Sequence, residues 1–146
     1  MFLYEYKMER GIAMDSRVES YFEDIKGKKI AFLGIGGSNL PLAKIFRQKG
    51  AIVFACDKRE KEQLGKTGEE LEQMSITLKL GEHYLEQLDV DMMFRTPGMR
   101  FHTKELEQAR EKGIVVTSEM EVFFDLCPCP IYAVTGSDGK TTTTTI

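Results

Sequence analysis

The sequence predicts an α/β fold, a Rossmann-like parallel sheet with helices on both faces. Three observations carry this. Short continuous apolar runs alternate with stretches of helical apolar spacing along most of the chain. Glycine-containing turns close many of these units. The segments richest in ligand chemistry fall just after apolar runs, at the carboxyl ends of strands, where open parallel sheets bind ligands.

Each element has its own reason. Tyr21, Phe22 and Ile25 share one face of a short helix opening after Asp15-Ser16, a capping pair. Ile30-Ala31-Phe32-Leu33 is apolar without alternation, as expected of a strand buried on both faces. After a glycine turn, Leu40, Ala43, Ile45 and Phe46 mark a helix that Gly50 ends. Ile52-Val53-Phe54-Ala55 reads as the second strand, and residues 60–74 as one charged helix weakened at Gly65 and Gly68. Residues 76–80 suggest a strand of period two, and Tyr84, Leu85 and Leu88 a short helix. Met92-Met93-Phe94 is another buried strand; Leu106 and Ala109 lie on a helix ending at Gly113. Ile114-Val115-Val116 is a strand, Val122, Phe123 and Phe124 lie on a helix, and Ile131-Tyr132-Ala133-Val134 is the last strand. Helices of this length between strands make the strands parallel.

The 146 residues suit one compact domain with a fragment of a second. A net charge of −3 gives no electrostatic case for nucleic acid or an acidic membrane as partner. No apolar run approaches the roughly 20 residues of a membrane span. The first ten residues carry Glu5, Lys7, Glu9 and Arg10 where a signal peptide would have an apolar core. The expected location is the cytoplasm. Cys56, Cys127 and Cys129 are too few, and odd in number, for a disulfide framework. His83 and His102 sit in charged segments and are expected to be exposed.

Gly34-Ile35-Gly36-Gly37-Ser38-Asn39 joins a strand to a helix, where glycines let the backbone approach a phosphate and the helix start attracts its charge. As a dinucleotide fingerprint it is incomplete, because Asn39 stands in the place of the third glycine. A tight turn is the bland alternative. Asp57-Lys58-Arg59 follows the second strand: the acid would suit ribose hydroxyls or the edge of a base, and Arg59, expected exposed, a phosphate or sugar. A solvated charge cluster is the competing reading. Thr96-Pro97-Gly98 is a turn that gains interest from lying at the ligand edge. Gly136-Ser137-Asp138-Gly139-Lys140-Thr141 is the sharpest signal. Its backbone would cradle phosphates, Lys140 would meet the outer ones, and the Thr141 hydroxyl would hold magnesium. Val134 stands where the general phosphate loop has its first glycine, so the loop is short.

That short loop, read from Ala133 to Thr142, resembles the ATP loop of the Mur ligase superfamily, with Asp138 where the family usually has asparagine. Three further stretches resemble the D-glutamate-adding branch: residues 28–42, Thr96-Pro97-Gly98, and residues 113–121 leading to Pro130-Ile131. The resemblance runs from about Ser20 onward, and residues 1–14 have no clear counterpart.

Such enzymes join D-glutamate to UDP-N-acetylmuramoyl-L-alanine in peptidoglycan synthesis, using ATP and Mg2+ to form an acyl phosphate that the amino group attacks. The resemblance implies that residues 1–130 are a Rossmann-like UDP-binding domain and residues 131–146 the first strand and phosphate loop of an ATP-binding domain. It implies that Gly36, Gly37, Ser38 and Asn39 face the diphosphate. Asp57, Lys58 and Arg59 would surround the uridine, and Thr96, Pro97 and Gly98 would border the same cleft. Gly136, Ser137, Asp138, Gly139, Lys140, Thr141 and Thr142 would bind ATP, with Thr141 on the metal. A monomer that is inactive by itself is expected. The L-alanine-adding ligases, an NAD-binding oxidoreductase domain and a non-catalytic nucleotide sensor remain as alternatives.

Overall fold

The computed structural model describes residues 16–138 and 140–145. The expectations on residues 1–15, including the capping Asp15, and on Gly139 of the phosphate loop lie outside the described residues. The elements are α1 (Ser16–Asp24), β1 (Lys29–Leu33), α2 (Asn39–Gln48), β2 (Ile52–Asp57), α3 (Lys61–Leu64) and α4 (Lys66–Gln73). They continue with β3 (Thr77–Leu80), β4 (Met92–Arg95), α5 (Lys104–Glu111), β5 (Val115–Thr117), α6 (Glu119–Leu126) and α7 (Lys140–Thr145).

The strands form one five-stranded sheet in the order β3-β2-β1-β4-β5, every neighbouring pair parallel. Successive side chains of a strand point to opposite faces. In β1 this splits an unbroken apolar run between two cores. Ile30 and Phe32 pack with Phe46 of α2, Leu71 of α4 and Ile25 just after α1. Ala31 and Leu33 pack with Leu106 and Ala109 of α5, and with Leu88 and Val90. Both faces are therefore covered, as a doubly wound sheet requires. The first core is aromatic: Phe32 stacks on Phe94 at 4.8 Å between ring centres, and Phe46 meets both rings edge-on. Such pairs add roughly 0.5–1.5 kcal/mol to their burial.

Three expectations are corrected. The helix expected over 60–74 is two helices, broken at Gly65, whose φ of 52° and ψ of −131° are not helical. The short helix expected around Tyr84 is a turn segment over 82–87, held by the left-handed Gly81 (φ 85°) and Gln87 (φ 52°). Two bends so close together leave no room for a helical turn to propagate. Residues 131–134 are exposed and outside any described strand. A strand exists through its ladder partner, and the described sheet ends at β5.

The exposure of the histidines matches expectation. The three cysteines are free thiols, and burial pushes that of Cys56 up to about 12, which keeps it inert. The exposed His83 and His102 meet Glu86 and Glu107.

Candidate functional site

The order of strands reverses between β1 and β4, and the carboxyl ends of these two neighbours open a crevice. A cleft of about 430 Å³ lies there. Gly34, Ile35 and Gly36 line it from the end of β1, Asp57, Lys58 and Arg59 from the end of β2, and Thr96, Gly98 and Met99 from the end of β4. Tyr84, from the turn after β3, completes the lining. Three of the segments singled out in the sequence therefore meet at one site.

Close approach explains the first glycine. Gly34 has φ 87°, and a Cβ there would lie 2.5 Å from the Thr96 methyl group. Gly36 and Gly37 face open space instead, so a side chain would fill the approach to the helix start and not the protein. Ser38, at the amino end of α2, is in the α region and makes no side-chain cap. Among the described residues, none accepts a hydrogen bond from the backbone N–H of Gly36, Gly37 or Ser38. Free N–H groups beside the start of a helix suit an anion.

The Asn39 side chain is turned inward, 2% exposed. Its amide donates to the carbonyls of Leu33 (3.0 Å) and Gly34 (3.1 Å), with that of Phe94 at 3.5 Å. The side chain in the place of the third glycine thereby ties the ends of β1 and β4 together under the turn.

Arg59 is corrected. Expected as an exposed strand-end cation, it is half-buried and works as a clamp. Its Nε and a terminal nitrogen donate to the two oxygens of Asp57, each at 2.9 Å, and the same terminal nitrogen donates to the Ile35 carbonyl at 2.7 Å. Asp57, 6% exposed, also accepts from the backbone N–H of Ile35 (2.7 Å) and of Arg59 (3.0 Å). Burial alone would raise its pKa; the Arg59 side chain and the two backbone donors outweigh it and hold the carboxyl at about 2. Both carboxylate oxygens are thus engaged within the protein, whereas an acid serving ribose hydroxyls must offer free lone pairs. Lys58 stays exposed on the rim.

Pro97 is exposed, and the Thr96 hydroxyl accepts from the Gly98 N–H at 3.2 Å, shaping the turn beside the cleft. Behind it Arg95 reaches Glu121 of α6 at 3.3 Å. Burial works against the Glu121 charge, but hydrogen bonds with Ser118, Arg95 and Thr117 hold its carboxyl below the usual range. The described part of the phosphate loop, Gly136, Ser137 and Asp138, is exposed, as are Lys140, Thr141 and Thr142. The Lys140 ammonium folds back on the carbonyls of Gly136 and Ser137. None of these residues lines the cleft.

Sequence reasoning missed Tyr84 and Met99. The signal for Tyr84 was its place beyond the carboxyl end of β3, on the same ligand edge; reading the segment as a helix obscured it. Met99 directly follows Thr96-Pro97-Gly98 and was within reach.

A cleft at the switch point of a doubly wound parallel sheet defines the class of fold, and comparison with known proteins narrows it. The model of the Mur ligase MurD-like N-terminal domain matches residues 28–118. The chain belongs to that family. It is 50% identical over 134 residues to UDP-N-acetylmuramoylalanine–D-glutamate ligase of Acetivibrio thermocellus, covering 91% of this chain and 29% of that protein. The enzyme of the same name from Clostridium botulinum is 48% identical with the same coverage. The chain thus spans about three-tenths of the length of these relatives. Among solved structures, the UDP-N-acetylmuramate-alanine ligase of Thermotoga maritima aligns with a TM-score of 0.55 at 29% identity, over 80% of this chain and 27% of that one. Among the described residues no helix is long and apolar enough to cross a membrane.

Proposed function

We propose that this chain is the nucleotide-sugar-binding part of a ligase that adds D-glutamate to UDP-N-acetylmuramoyl-L-alanine in peptidoglycan precursor synthesis, and that its own task is to hold the UDP group. The cleft at the β1–β4 switch point carries this reading. The unused N–H donors of Gly36, Gly37 and Ser38 would take the diphosphate, with Lys58 as a nearby cation. The Asp57–Arg59 pair and the turn Thr96-Pro97-Gly98 would border the uridine. Names of close relatives support the choice of D-glutamate over L-alanine.

Residues 131–146 would open an ATP-binding unit. Gly136, at φ 153°, holds a backbone shape that disfavours any side chain, and Lys140 spans the loop it closes. An ammonium and hydroxyls in one exposed loop fit a nucleotide triphosphate with magnesium. When bound, ATP supplies an activated phosphoryl group; Lys140 would meet its phosphates, Thr141 its metal, and Ser137, Asp138 and Thr142 would flank them.

The engagement of Asp57 with Ile35 and Arg59 speaks against NAD, whose ribose needs a free carboxylate. Ligand-observed NMR with the UDP-muramoyl substrate and with NADH tests the reading. We expect transfer to the UDP compound only. Binding of NADH without binding of the UDP compound would overturn it.

A further inference from the structure

The cleft has two unlike sides. The Gly36 backbone and Lys58 make one side receptive to an anion, while Tyr84 and Met99 bring apolar surface continuous with the second core. A ligand that satisfies both carries a charged group joined to a flat, weakly polar one.

Tyr84 is held in place rather than left on a loose loop. The N–H of Gly81 donates to the carbonyls of Asp57 (3.0 Å) and Arg59 (3.4 Å), so the turn after β3 is fastened to the residues after β2. Gly81 has φ 85°, a left-handed conformation that glycine adopts without strain and a side chain would oppose. The Tyr84 N–H then donates to the Gly81 carbonyl at 3.3 Å. The ring, half-buried, rests on the core of Ala31, Leu33 and Cys56. An aromatic group so fixed loses little freedom when a ligand stacks on it. Among the described residues none hydrogen-bonds its hydroxyl. Burial, with the nearby charge of Asp57, moves that phenol above its ordinary value, so it stays protonated and can donate.

We infer that Tyr84 is a binding residue for the base of the ligand, its ring the surface on which a planar heterocycle stacks. This rests on the nucleotide reading above. A residue that only filled the core would be replaceable by leucine; a stacking platform would not.

The test titrates UDP calorimetrically into this chain as wild type, Tyr84→Ala and Tyr84→Leu, with thermal unfolding of all three. Nuclear Overhauser contacts are sought between the uracil protons and the Tyr84 ring in the wild type. We expect those contacts, and a Kd weakened about tenfold in both variants, with the leucine variant melting close to wild type. If the alanine variant does not fold, the leucine variant and the wild-type contacts still decide. Unchanged affinity in Tyr84→Leu, or UDP binding without contacts to the ring, overturns the inference and leaves the UDP reading standing. Failure of wild type to bind UDP overturns both.

Discussion

Asp57 shows how much of the cleft depends on one side chain. Its two oxygens accept from four donors, drawn from Ile35 and Arg59, and so join the glycine turn to the end of β2. The folded-state pKa of about 2 lies below the ordinary 3.8. A depressed carboxyl stabilises the fold above its unfolded value and loses that contribution as pH falls through its folded value. The window is therefore from about pH 4 down to about pH 2. Discounted for solvent around Arg59, the contribution is on the order of 1–2 kcal/mol. Asp57→Asn should lower the urea midpoint near pH 6 and lose most of that deficit near pH 2.5. Parallel pH profiles for variant and wild type would show that the clamp adds no stability.

The helix starts divide into two kinds. Thr103 and Ser118 have extended backbones, and each accepts from the N–H three residues ahead, at 3.4 Å in both cases. Glutamates follow in both first turns, favourable to the helix dipole. Ser38 does none of this: the Leu40 N–H bonds to the Gly36 carbonyl instead, and Pro41 has no N–H to cap. We expect Thr103→Ala to cost about 1 kcal/mol and Ser38→Ala no more than about 0.5 kcal/mol, both read from urea denaturation. Equal costs at the two positions would mean that Ser38 caps α2 in solution after all. Elements were most legible where they were long and strongly patterned, as in α2 and β1. Residues 82–87 were not, because a few apolar residues at helical spacing carry no information about the left-handed bends at Gly81 and Gln87.

Across the whole molecule, β1 is the centre from which both cores are built. Ile30, Ala31, Phe32 and Leu33 are each at most 1% exposed, while β3 and β5 form the edges. Local opening free energy rises with buried contacts and paired backbone. Amide hydrogen exchange should therefore be slowest in β1 and its neighbours β2 and β4, and faster in β3 and β5. Slowest exchange in β5 would contradict the described sheet order. The switch point beside β1 is then the most rigid base available for a binding cleft.

The alternation of strand and helix, the two-faced burial of β1 and the glycine turn after it were written in the sequence by itself, because apolar periodicity and glycine punctuation act over a few neighbours. The positions of Gly36, Asp57 and Thr96 at one edge followed from parallel connection alone. Strand order, by contrast, belongs to the tertiary structure, as do the inward turn of Asn39, the closing of Arg59 on Asp57 and Ile35, and the place of Tyr84 in the cleft. Each depends on groups distant in sequence: Asn39 meets the carbonyl of Phe94, Arg59 that of Ile35, and the turn carrying Tyr84 hangs from Asp57. A polar side chain goes to whichever partner the folded backbone brings within reach, and that backbone is set only when the strands have paired.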